Sequence, residues 1–495
     1  VPTRAVPLLA FRPVVPQHAR LQRGQQALND CQINQLSANE PSIRIQAEAG
    51  ITEVWDPKEN QEFQCAGVTV IRREIEPKGL LLPHYTNAPS ISYVIRGRGL
   101  LGVSGLGCAD TYESGFSESF SEESRSSELG SEEMRDQHQK VRRFHKGHVI
   151  GLPAGVSKWI YNDGEDRLTI VTLFDTNNFQ NQLDDNLRSF FIAGNPQGRG
   201  GDQSGRHHES RRQHESSRRH TRGSQEEFGQ NILSGFDKQL LADAFEVESD
   251  TISKIQGEND DRGAIIRVEG GELEMLIPEW DQEEQRSERH HRGGRQSERS
   301  RPHNGIEQTL CSARLSVNID NPERADVFNP QGGRLTNVNG NKLPILNYLR
   351  LSAEKVNLYK NAIMTPNWKI NAHSIVYFTK GSGRVQIANH EGELVFDDMV
   401  QEGQLVVVPQ NFVVLKRAGR DGLEWVALLT NDNAMSSPLA GRISAIRGMP
   451  VEVVMNSYKL SREEAQRLKY GRQELSVFSP SKRSSERRGD EYAIV

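Results

Sequence analysis

Short apolar runs rich in β-branched and aromatic residues recur along the chain, each closed off by Gly, Pro, Asn or Asp. They include Ser92–Ile95 (SYVI), Leu168–Phe174 (LTIVTLF), Ser374–Phe378 (SIVYF) and Trp425–Leu429 (WVALL). Runs this short, bounded by turn residues, predict antiparallel strands of a sandwich or barrel. The pattern also occurs twice. Tyr93–Gly99 (YVIRGRG) returns as Tyr377–Gly383 (YFTKGSG), and Gly147–Pro153 (GHVIGLP) returns as Gly403–Pro409 (GQLVVVP). A segment with helical spacing is duplicated as well, Ala244–Ile255 matching Ser457–Leu468. Ser461 followed by Glu464 predicts a capping box, and Ser234 with Asp237 predicts a similar helix start. Each half therefore reads as a β unit followed by a helical arm.

Three tracts interrupt this pattern. Thr111–Glu133 is Ser/Glu-rich, Pro196–Ser224 is Arg/His/Gly/Ser-rich, and Asp281–His303 mixes Arg, Glu, Ser and His. Such segments bury too little apolar surface to offset the entropy of ordering them, and are expected to be disordered. A hydrophobic content of 35% over 495 residues agrees with long solvated loops. The net charge of −5 hides an asymmetry: residues 305–495 carry +4 and residues 1–304 carry −9. No basic block lacks interleaved acids, so no nucleic-acid partner is expected. No apolar run approaches the roughly 18 residues needed to span a bilayer, so no membrane association is expected either. Seven histidines (His207, His208, His214, His220, His290, His291 and His303) lie in the basic tracts, where neighbouring arginines oppose a dedicated metal site.

Asn304-Gly305 stands where the last tract meets Cys311. The pair is by itself a turn signal, but here it also divides an acidic from a basic piece at an accessible bond. Four cysteines, Cys31, Cys65, Cys108 and Cys311, fit two bridges in any of three pairings, or four buried thiols.

Taken together these motifs resemble the legumin-type (11S) seed storage globulins of the cupin superfamily. In that family's processing signature Asn304, Gly305, Glu307, Leu310, Cys311, Ser312, Ala325 and Asp326 match, while Gln308 replaces an acid. Asp136–Phe144, Asn231–Asp237 and Asn259–Gly263 also look like the family. The resemblance implies an all-β dominated fold of two cupin jelly-roll barrels, each followed by a helical arm, with long disordered polar loops. The expected division is an N-terminal extension (1–30), first barrel (31–195), basic loop (196–224), arm and return strands (225–280), linker (281–304), second barrel (305–435), and arm with tail (436–495). It further implies bridges Cys31–Cys65 and Cys108–Cys311, cleavage after Asn304 by an asparaginyl endopeptidase, and assembly into homotrimers and then homohexamers. The implied compartment is the protein storage vacuole, reached through the secretory pathway, although residues 1–12 lack the apolar core of a signal peptide.

Enzymatic cupins hold a metal with two His and a Glu on a first motif and one His on a second. Here the frame survives at Gly79, Gly99, Gly147, Pro153, Gly155 and Asn162, but Tyr85, Asn87, Ser92 and Lys158 stand at the ligand positions. In the second half Asn411 and Val414 replace Gly and His, and an apparent insertion near Trp368–Asn371 blurs the first motif. His84 and His373 read as hydrogen-bonded structural imidazoles. No catalytic residue, metal or cofactor is expected, and the function implied is a non-enzymatic nutrient reservoir of nitrogen. The alternatives are a cupin binding a small molecule near Tyr85, Asn87 and Lys158, and a metal-dependent cupin enzyme.

Overall fold

A computed structural model describes residues 31, 33–104, 111–113, 136–138, 141–197, 229–270, 273 and 313–480. The first half folds as β1 (Ile43–Ala47), β2 (Gly50–Trp55), β3 (Val68–Ile75), β4 (Gly79–Thr86), β5 (Ser90–Arg96), β6 (Arg98–Ser104), β7 (Thr111–Glu113), β8 (Asp136–His138), β9 (Val141–His145), β10 (His148–Leu152), β11 (Ser157–Tyr161), β12 (Leu168–Asp175), β13 (Ser189–Phe191), β14 (Ile265–Arg267) and β15 (Ser316–Asn318). One sheet runs β1-β2-β3-β12-β5-β10-β15 and the facing sheet β13-β4-β11-β6-β9, with β14 on β4, while β7 pairs with β8. The second half curls one sheet from β16 (Val327–Asn329), β17 (Gly333–Val338), β18 (Ser352–Leu358), β19 (Ile363–Lys369), β20 (Ser374–Ala388), β21 (Leu394–Gln401), β22 (Leu405–Val408), β23 (Val413–Leu429), β24 (Ser436–Pro438) and β25 (Val477–Phe478). These are two jelly rolls, and the four runs singled out above lie in β5, β12, β20 and β23.

The backbone repeats where the sequence does. Gly97 and Gly381 have φ of 86° and 78°, and Gly147 and Gly403 have 89° and 91°. These left-handed turns admit glycine at little steric cost, which is why the GxG and Gly-to-Pro signals survive in both copies.

The two barrels meet face to face. Along β3, Val68, Val70 and Arg72 point toward the second half, whereas Thr69, Ile71 and Arg73 share the opposite face, as period-two alternation requires. The first sheet is therefore buried on both sides, and β12 reads as a nearly unbroken apolar run. Residues of both halves join one core, including Val70, Ile91, Tyr93, Val171 and Leu173 with Leu346, Leu349, Tyr377, Leu405 and Val426. Its polar contacts are reciprocal. Arg72 Nη1 donates to Tyr377 Oη at 2.7 Å, and Lys355 Nζ donates to Tyr93 Oη at 2.7 Å. The register matches these partners: Arg72 lies opposite Val171, itself opposite Tyr93, and Lys355 lies opposite Val426, itself opposite Tyr377.

Chain segments also cross between halves. β15, beyond Asn304 in sequence, pairs with β10 of the first barrel, matching Val317 to Val149. Conversely, Leu36 N donates to Val395 O, and the Leu36 side chain joins the second barrel's core.

Each arm is a pair of short helices joined at a left-handed residue. Lys238–Phe245 ends at Glu246 and Val451–Tyr458 ends at Lys459, both at φ 54°. Ser461 and Glu464 form the predicted capping box. The first arm differs from expectation. Asp237 itself caps Lys238–Phe245, accepting from the amides of Gln239 and Leu240, while Ser234 lies in a 3-10 turn capped by Asn231 and donates to Asn231 O. The carboxylate reaches two orphan amides at once, which leaves the hydroxyl upstream no cap to make.

Candidate functional site

The interior of the first barrel is where a cupin would carry chemistry. β4 and β11 run antiparallel with His84 directly opposite Lys158. Both side chains are buried. The expected ligand assignment is off by one residue on β4. Tyr85 lies on the outer face, stacked on Phe190 at 4.9 Å, and Asn87 is engaged with the backbone of Asn186 and Arg188 at 2.9 and 2.8 Å. A one-residue offset swaps every side chain between faces of a strand, so His84 and Thr86 point inward instead. Ser92 is inward as expected, sharing a 2.8 Å hydrogen bond with Thr172.

His84 Nδ1 bonds Leu82 O at 2.8 Å, while Nε2 has no partner among the described residues. Half of the structural role expected for this residue is therefore present. Burial, reinforced by Arg73 and Lys158, holds the imidazole well below its ordinary pKa, so it is neutral. Burial and then Arg73 pull Lys158 down to about 7, and burial alone lowers Arg73 to about 10. Lys158 Nζ lies 5.3 Å over the Phe174 ring. This donor set does not fit a metal: one imidazole stands among two cationic side chains, and among the described residues no three His, Cys, Asp or Glu are placed to share an ion.

Arg73 was not singled out in the sequence. The signal that finds it is the adjacent pair Arg72-Arg73 inside VTVIRREI: in a strand buried on both faces, one of two neighbours must point inward.

The second barrel is filled differently. Lys369 pairs with Glu354 at 2.8 Å, Lys416 lies 5.0 Å over Trp425, and burial lowers Lys416 to about 8 against the opposing pull of Glu354. Val414 is paired with Asn367 beyond a register irregularity that starts at Met364, a few residues before the stretch where the motif blurs. His373 accepts from the Gln410 amide at 3.3 Å and its own amide donates to Thr430 Oγ1.

Cys31 and Cys65 are bonded, with Cα atoms 5.6 Å apart and a separation of 34 positions in sequence. Glu62, one turn before Cys65, accepts from Ser37 N at 2.7 Å and Asn39 Nδ2 at 3.0 Å, so the bridged corner also holds the strap that crosses to the second barrel. Asn304, Gly305, Cys108 and Cys311 lie outside the described residues, as do most of the three polar tracts.

Against known proteins, the cupin family model matches residues 36–197 and 317–466, one match on each barrel. An 11S globulin seed storage protein from Carya illinoinensis is 48% identical over 485 residues, covering 94% of each chain. This chain belongs to the legumin-type 11S globulins. Among solved structures, recombinant pro-11S globulin of pumpkin superposes with a TM-score of 0.74 at 42% identity, covering 91% of this chain and all of that one. The coconut allergen cocosin gives 0.73 at 41% identity, again covering 91% of this chain and all of that one. As an 11S globulin the chain carries the seed-storage role for which its relatives are named.

Proposed function

We propose that this globulin is a nitrogen reservoir without enzymatic activity. A single precursor enters the protein storage vacuole through the secretory pathway. There an asparaginyl endopeptidase cuts it after Asn304, and Cys108–Cys311 joins the resulting acidic and basic chains. It assembles with itself or related globulins as a trimer, then as a hexamer. Asn304 is the recognition residue and Gly305 leaves the far side of the bond unhindered. The Arg-rich tracts 196–224 and 281–303 carry side-chain nitrogen on their arginines and glutamines and can lengthen cheaply, because loop-closure entropy grows only slowly with length.

The observation that best supports assembly is the pair of arms. Leu240 and Phe245 on the first arm, and Val453, Tyr458, Leu468 and Tyr470 on the second, are large apolar side chains left exposed on short amphipathic helices, and Phe236 is exposed just ahead of the first. Two unlike apolar arms on one protomer suit a head-to-tail ring, in which the first arm of each copy covers the second arm of the next.

The test is Asn304→Gln. The variant should run as one chain under reducing electrophoresis and elute as a trimer. Hexamers formed by the uncut variant would refute the assembly step, and two chains in reduced samples would refute the site.

A further inference from the structure

We propose that the first barrel binds a small oxyanion, a carboxylate or a phosphate, clasped between Arg73 of β3 and Lys158 of β11. This goes beyond storage. Thr69, Ile71 and Arg73 share the inward face of β3, and Ile71 packs with Phe174, the ring beneath the Lys158 ammonium. His84 lies opposite Lys158 in register and stacks on Phe191 at 5.0 Å. Arg73, Lys158, His84 and Thr69 are 6%, 4%, 0% and 4% exposed. Each keeps a buried polar atom without a hydrogen-bond partner among the described residues: Nε, Nζ, Nε2 and Oγ1 respectively.

Among the described residues no carboxylate offsets Arg73 or Lys158; burial alone acts on the arginine, and burial and that arginine act on the lysine. Charges taken out of water are tolerated when a counter-ion meets them. The second barrel supplies one internally. Glu354 pairs with Lys369, and it sits on β18 opposite Ala427, two residues along the same face from Val356, the register equivalent of Arg73. The first barrel keeps the cations and lacks the acid, so an anion from solution takes that place. The available groups are a guanidinium, an ammonium and a hydroxyl, which match the acceptor oxygens of a carboxylate or phosphate. Binding returns a proton to Lys158, because a neighbouring anion favours its charged form.

The test is isothermal titration calorimetry of the full chain in a cationic buffer with chloride as counter-ion, using acetate, benzoate and inorganic phosphate as separate titrants. At least one should bind saturably, once per chain, with proton uptake visible as a buffer-dependent heat. Binding should weaken at least tenfold in Lys158→Met and be unchanged in Lys416→Met, its second-barrel counterpart as a buried lysine. Preference for acetate or benzoate identifies a carboxylate ligand, and preference for phosphate identifies a phosphate. Crystals of the wild-type chain grown with 4-bromobenzoate give a readout that needs no variant, an anomalous bromine peak inside the first barrel. The proposal is overturned if none of the three titrants binds saturably, if Lys158→Met binds as tightly as wild type, or, where a carboxylate is the preferred titrant, if the bromine peak lies only outside the barrel.

Discussion

Cutting the chain anywhere within 274–312 and then reducing it should not separate the two pieces. Leu315, Val317 and Ile319 flank and form β15, and each is under 8% exposed in the core built with the first barrel. At about 1.5–3 kcal/mol per buried aliphatic side chain, these three contribute about 5–9 kcal/mol. Leu343, Ile345, Leu346, Leu349, Leu405 and Val407 enter the same core from the second half. They add about 9–18 kcal/mol on that scale, an upper bound because the unfolded chain already hides part of this surface. Holding two separate chains together costs about 4–15 kcal/mol of lost freedom, so the apolar contacts exceed that cost at most combinations within these ranges. The proposed Cys108–Cys311 bridge would then be a second tether. The assay uses protein with a specific protease site inserted in this segment, nicked, reduced and run on size exclusion in native buffer. One peak is expected, splitting into two only in denaturant, and at a lower denaturant concentration for Val317→Asp. Two peaks in native buffer from the unsubstituted nicked protein would show that strand exchange does not hold the halves.

Further outcomes follow from the same contacts. Tyr93→Phe removes a hydroxyl that receives from Lys355 at 2.7 Å and donates to Asp320 at 2.8 Å, and should cost about 1–3 kcal/mol in chemical unfolding. The double substitution Tyr93→Phe/Lys355→Met should be non-additive, and additivity within error would mean the pair is not coupled. Burial raises Glu62 from 4.5 to about 7 and Asp175 from 3.8 to about 6. The folded state holds these protons more tightly, so their stabilisation is present below the unfolded values and is lost as pH rises toward 7. Glu62→Gln should flatten the unfolding midpoint against pH over that window, and an unchanged slope would contradict the assignment. Ser461→Ala removes half of a reciprocal cap and should cost about 1 kcal/mol, read by thermal unfolding of the full chain.

Most of the architecture was legible because this chain repeats its punctuation. Left-handed turns at Gly97, Gly147, Gly381 and Gly403 mark the same corners twice, and the strand runs between them fall where their composition places them. The helical repeat was legible in extent but not in its break, because Glu246 and Lys459 adopt left-handed angles that neither residue type signals. The site was read one residue out of phase. Motif spacing located β4 and β11, but which face of β4 is interior depends on pairing with a strand some seventy residues away, including the shift between Lys158 and Ile160. Arg73 escaped notice because the motifs that define the superfamily's site do not include β3. The crossing of β15 to the first barrel is likewise a long-range pairing without a local mark.

The reciprocal tyrosine contacts have a history written into them. A surface that meets a copy of itself, with Arg72 reaching Tyr377 just as Lys355 reaches Tyr93, is the isologous contact of a two-fold dimer. Fusing two such subunits into one polypeptide makes their association intramolecular, so it no longer depends on how much protein has accumulated. However dilute the protein, each newly made chain already carries its own partner. Once joined, the copies were free to diverge, and the contrast between Arg73 in one interior and Glu354 in the other is that freedom in use.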